Sequence, residues 1–96
     1  MAESLKMPEC REVTIVNKLG LHARAAAKFV TLASGFSSQI TIRRGEREVN
    51  GKSIMGVMML AAGKGVSIEV CAEGEDAAMA VNELVSLIGD RFGESE

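Results

Sequence analysis

His22 is the single histidine of the chain and sits in the run Gly20-Leu21-His22-Ala23-Arg24. A neutral imidazole is a nucleophile, and an ordinary pKa of about 6.5 keeps most of it neutral near pH 7. Gly20 interrupts an alternating apolar segment and helix formers follow the histidine, so the ring falls where a strand turns into a helix. The first amides of a helix have no internal acceptor and, with the helix dipole, receive anions. These residue types suit attack of a ring nitrogen on phosphorus, with the backbone N–H groups of Ala23 and Arg24 meeting the charge that His22 takes up. The Arg24 guanidinium adds a mobile planar donor fork. Lys28 follows on the same helix face. A partner supplying most of the positioning would leave little for other groups of this chain to do. No carboxylate or second nucleophile accompanies His22, which argues against a free-standing hydrolase.

Two other groups have chemistry to offer. Ser53 precedes the run Ile54-Met55-Gly56-Val57-Met58-Met59-Leu60 and fits a helix N-cap. That run carries more large apolar side chains than one short helix buries, so some of Ile54, Met55 and Met58 are expected to remain exposed as a docking patch while most of the run joins the core. Lys28, Lys52 and Lys64 are placed to steer acidic partners toward it. Cys10 and Cys71 form no CxxC motif and have no second histidine to complete a zinc set, so no metal site is expected. They read as two reduced thiols, one in a mobile terminus and one in a strand.

The elements that would position these residues can be read in order. Residues 12–16 alternate with Val13 and Ile15 on one face; residues 22–34 carry Ala26, Phe29, Val30 and Ala33 at helical spacing. Residues 39–43 alternate again, and Arg44-Gly45-Glu46 turns into residues 47–49. A short helix from Ser53 to about Leu60 follows, then the alternation of residues 66–70. A last helix over residues 75–91 presents Ala77, Ala80, Val81, Leu84, Leu87 and Ile88 as its stripe, with Glu75 and Asp76 in its first turn. The order is βαββαβα, an α+β chain. Each strand has one apolar face, so the sheet is covered on one side and wet on the other, in a split βαβ arrangement. Residues 1–10 read as a flexible extension, 11–92 as the domain and 93–96 as a flexible tail.

Composition narrows the function classes. The 96 residues are 47% hydrophobic and 25% charged, as in a single globular domain, with a formal net charge of -2. The acidic balance and the absence of Trp and Tyr argue against a nucleic-acid surface. Residues 1–12 carry no apolar core of a signal peptide, and the longest near-apolar stretch, residues 54–63, is too short for a bilayer. A soluble cytoplasmic protein is expected.

The segment Asn17-Lys18-Leu19-Gly20-Leu21-His22-Ala23-Arg24-Ala25-Ala26-Ala27-Lys28-Phe29-Val30 resembles the active-site segment of the HPr family. These are the histidine-containing phosphocarriers of the bacterial phosphoenolpyruvate-dependent phosphotransferase system. The resemblance spans about residues 11–92. It implies an open-faced β-sandwich, a four-stranded antiparallel sheet with three helices on one face. It also implies a monomer without cofactor, phosphorylated on His22 Nδ1 by enzyme I and passing the group to EIIA-type proteins, with Arg24 assisting. Residues 52–58, KSIMGVM, resemble the segment that an HPr kinase/phosphorylase phosphorylates on serine in some members, which makes Ser53 the acceptor. Ala25 stands where most of the family has proline; alanine is a good helix former, so the helix should survive the change. A regulatory protein-binding module of the same fold, docking according to phosphorylation state, is the alternative reading.

Overall fold

A computed structural model describes residues 7–96 of the chain. Its elements are β1 (Glu9–Thr14), α1 (Ala23–Ser34), β2 (Gln39–Arg44), β3 (Arg47–Asn50), α2 (Ile54–Met58), β4 (Ser67–Glu73) and α3 (Ala77–Gly89), followed by a 3-10 turn at Arg91–Gly93. The strands form one sheet in the order β1-β4-β2-β3, with every neighbouring pair antiparallel. β4 therefore lies between β1 and β2, as the split arrangement requires.

Period-two alternation decides which face is covered. Ile68, Val70 and Ala72 of β4 point inward, and so do Ile40 and Ile42 of β2, their register partners or neighbours. The helices close that face: Ala25, Ala26, Phe29 and Ala33 of α1 meet Ala77, Ala80, Val81, Leu84 and Ile88 of α3 over it. Alanine on both helices lets them approach closely, and the bulk is supplied by Phe29 and Phe92, both fully buried. The opposite face of the sheet carries Cys10, Glu12, Thr41, Arg43, Glu69 and Cys71 and, among the described residues, has no helix over it.

Several expectations change. β1 begins at Glu9, inside the segment read as an extension, because β4 runs to Glu73 and offers partners that far; residues 1–6 of that segment lie outside the described residues. Cys10 and Cys71 are not free thiols: they stand directly opposite one another in the β1–β4 register and form a disulfide. The pairing depends on register, which neither local pattern reveals. α3 starts at Ala77, so Glu75 and Asp76 precede it. The Asp76 carboxylate turns back to accept from the Ser37 and Ser38 amides and the Ser38 hydroxyl, tying the α1–β2 connection to the start of α3. Residues 93–96 are not a loose tail. The Lys18 N–H donates to the Glu96 carbonyl at 2.7 Å, and Glu94 is held from two sides.

Candidate functional site at the mouth of α1

The loop between β1 and α1 is shaped by a glycine and an asparagine. Gly20 has φ +68°, and a Cβ there would sit 2.6 Å from the Ala62 carbonyl oxygen and 2.7 Å from Gly63 Cα. Only glycine meets both the backbone conformation and the space. Asn17, fully buried, closes the turn: its carbonyl accepts from the Gly20 N–H at 3.2 Å, and its Nδ2 donates back to the Gly20 carbonyl at 2.9 Å. Leu21 is buried, and its N–H donates to the Ala62 carbonyl. The chain thus reaches His22 with its direction fixed from both sides.

His22 is the N-cap residue of α1, with extended backbone (φ −76°, ψ 179°) and a side chain that makes no capping bond. The first hydrogen bond into the helix is the Ala26 N–H to the His22 carbonyl, which leaves the amides of Ala23, Arg24 and Ala25 at the open helix beginning. The imidazole is one quarter exposed and binds through Nε2 to Glu94 Oε2 at 2.5 Å. The other oxygen, Glu94 Oε1, accepts from Asn17 Nδ2 at 3.0 Å. Asn17 therefore bridges the loop before the histidine and the carboxylate that holds its ring. Burial pushes the Glu94 carboxyl up, but the hydrogen bonds from Asn17 and His22 and the charges of His22 and Arg24 outweigh it and hold the group below its usual value.

Glu94 reaches this place by an unusual backbone route. Arg91, Phe92 and Gly93 all have positive φ, at 58°, 54° and 77°. Left-handed conformations are costly for the first two, and the buried Phe92 ring is what over-determines them. Lys28 Nζ donates to the Phe92 carbonyl at 2.7 Å, pinning the turn to α1. A cleft of about 380 Å³ opens beside it, lined by Lys18, Leu19, Arg24, Lys28 and residues 93–96. Arg24 is exposed at its wall and makes no side-chain hydrogen bond among the described residues.

The other sequence-selected residues lie on α2 and its flanks. Ser53 is the N-cap of α2, its Oγ accepting from the Gly56 N–H at 3.1 Å. Val57 and Leu60 face the core, whereas Ile54 (44% exposed), Met55 (71%), Met58 (39%) and also Met59 (58%) face outward. The Lys52 ammonium keeps its charge and is held in place, its Nζ donating to the Phe36 carbonyl at 2.7 Å. Lys28 is likewise engaged by Phe92, while Lys64 is exposed in the loop before β4. Arg44 and Arg47, read only as hairpin residues, hold the carbonyls at the end of α2: Arg44 donates to Leu60 and Ala61, and Arg47 to Met59. Sequence reasoning missed Asn17 and Glu94. Asn17 had a weak signal, an asparagine three residues before a turn glycine. Glu94 had none, because its position depends on the Arg91–Gly93 turn.

A half-buried imidazole thus meets a carboxylate at an open helix beginning on an open-faced sheet, an arrangement that suits a small phosphate-accepting carrier. A family model described as "PTS HPr component phosphorylation site" matches residues 10–90. The chain is 57% identical over 86 residues to phosphocarrier protein HPr of Pseudomonas aeruginosa, covering 88% of this chain and 96% of that one. It is 54% identical over 86 residues to HPr of Cupriavidus necator, covering 90% and 97%. The crystal structure of HPr-C-His from Thermoanaerobacter tengcongensis superposes with a TM-score of 0.88 at 46% identity, over 92% of this chain and 99% of that one. The chain belongs to the HPr family, the phosphocarriers of the phosphotransferase system.

Proposed function

We propose that this phosphocarrier accepts its phosphoryl group from phosphorylated enzyme I on His22 Nδ1 and passes it to EIIA-type proteins. The observation that carries the reading is the Nε2–Glu94 contact at 2.5 Å. A ring that donates its N–H from Nε2 to a carboxylate keeps its lone pair on Nδ1. The Nδ1 lone pair attacks phosphorus as the bond from phosphorus to the donor breaks, and the donor's leaving group keeps that electron pair. The Ala23 and Arg24 amides receive the phosphoryl oxygens, and the Arg24 guanidinium swings in from the cleft wall. The chain supplies an oriented nucleophile and an anion cradle; enzyme I and the acceptor supply the remaining charge stabilisation. It works as a carrier in a relay, a cytoplasmic monomer that turns over no small molecule of its own. Among the described residues no helix is long and apolar enough to cross a membrane.

In the same reading Ile54, Met55 and Met58 form the docking patch, and Ser53 is a second phosphorylation site for an HPr kinase/phosphorylase. A phosphate there places about two negative charges beside exposed apolar side chains. The test of the carrier role is incubation with phosphoenolpyruvate and enzyme I. An acid-labile mass gain that disappears in His22→Ala is expected; a gain that survives the substitution contradicts it.

A further inference from the structure

The uncovered face of the sheet, opposite the one the helices close, holds a second cluster of reactive groups on β1 and β4. On the β1–β4 ladder Cys10 lies opposite Cys71, and one step along the same face Glu12 lies opposite Glu69. Like charges directly opposite on antiparallel strands repel. Among the described residues one cation answers them, Arg43 of β2, whose Nη2 pairs with Glu69 Oε1 and leaves Glu69 Oε2 without a described partner. The two sulfurs and a Glu69 carboxylate oxygen lie within 4.8 Å of one another, Cys10 exposed and Cys71 and Glu69 half-buried. An open depression of about 380 Å³ runs over them, lined also by Gln39, Thr41 and Glu48.

In the oxidised form each sulfur is spent on the other. We propose that in the reduced form Cys10, Cys71 and Glu69 bind a soft divalent cation of the zinc class on the open face of the sheet. A dithiol reductant supplies the two electrons and two protons that convert the disulfide into two thiols, and is itself oxidised to a disulfide. The cation then displaces both thiol protons and takes two thiolates and one carboxylate oxygen, with water in the fourth position. Tetrahedral zinc at about 2.3 Å from each sulfur needs the sulfurs about 3.8 Å apart. Side-chain rotation of two cysteines already opposite in register supplies that separation without moving the strands. The cation also relieves the facing Glu12–Glu69 pair, which a neutral ligand would not. Its consequence is structural: a metal bridge replaces the disulfide as the link between β1 and β4 when the protein is reduced.

The experiment titrates the full chain, reduced with a phosphine, with cadmium and then zinc. A thiolate-to-cadmium absorption band that saturates at one equivalent, with two protons released per ion, is expected. Zinc should displace the band and protect both cysteines from alkylation. The oxidised chain and Cys71→Ser should show no such band. Glu69→Gln should bind about tenfold or more weakly while its circular dichroism stays that of the parent, since the residue stands on the solvent face. No band in the reduced parent overturns the site. So does saturation at half an equivalent, which means bridging between chains, or an unchanged affinity in Glu69→Gln.

Discussion

The His22 ring is held through Nε2 by Glu94, and Glu94 is held in turn by Asn17 from the loop that precedes the ring. A carboxylate in that position does two things: it fixes which nitrogen keeps the lone pair, and it stops the ring from turning away from the amides of Ala23 and Arg24. Glu94→Gln preserves the size of the side chain and removes its charge. The expected outcome is a fall of about tenfold in the rate at which enzyme I phosphorylates the chain, with the fold retained, measured by rapid-quench kinetics. An unchanged rate means that the carboxylate only fills space. At this scale the sequence was half legible. The lone histidine between a glycine and an arginine was visible because its chemistry and its place at a strand-to-helix turn are local properties. Glu94 was not, since 72 residues separate it from His22 and an asparagine and a left-handed turn bring the two together.

At the scale of elements, α2 is a five-residue helix that is braced at both ends. Ser53 caps its start, and Arg44 and Arg47 from β2 and β3 take up the carbonyls at its end. Helices this short have almost no stability of their own, so these contacts decide whether the docking patch keeps its shape. Aspartate is as good an N-cap as serine. Ser53→Asp is therefore expected to leave the melting temperature within a few degrees of the parent. It should slow phosphorylation by enzyme I about tenfold, equivalent to about 1.4 kcal/mol of lost docking or activation free energy. Thermal unfolding and the transfer rate, measured on the same sample, check both halves; a large drop in melting temperature with an unchanged rate contradicts the assignment. The helices and strands were legible from period alone, and their errors sit at ends. α3 began later because Asp76 bonds the Ser37–Ser38 loop, and β1 began earlier because its length is set by its partner β4.

At the scale of the whole molecule, the links that close the chain are long-range: the disulfide, the Glu94 contact and the Asp76 contact to Ser37 and Ser38. None of them follows from a periodic pattern, which is why residues 1–10 and 93–96 were read as loose when residues 9, 10 and 93–96 are engaged. The Asp76 contact has a pH signature. Hydrogen bonds from the Ser38 hydroxyl and the Ser37 amide lower its carboxyl from 3.8 to about 2, so folding favours the charged form. A depressed carboxyl adds stability that is fully present above its unfolded value and disappears as pH falls through the folded one. The parent is therefore expected to lose stability between about pH 4 and pH 2, and Asp76→Asn to lose less over the same window while being less stable at neutral pH. Denaturant unfolding at a series of pH values reads this directly; parallel curves for the two proteins contradict it.

The central claim is that the ring nitrogen left free by Glu94 is the one that takes the phosphoryl group. Nitrogen-15 NMR of the histidine-labelled full chain, recorded before and after incubation with phosphoenolpyruvate and enzyme I, tests it most directly. The account predicts a phosphorus coupling and a large shift at His22 Nδ1, with Nε2 remaining protonated against the carboxylate. Phosphorus coupled to Nε2, or a phosphorylated chain whose histidine nitrogens are unchanged, contradicts it.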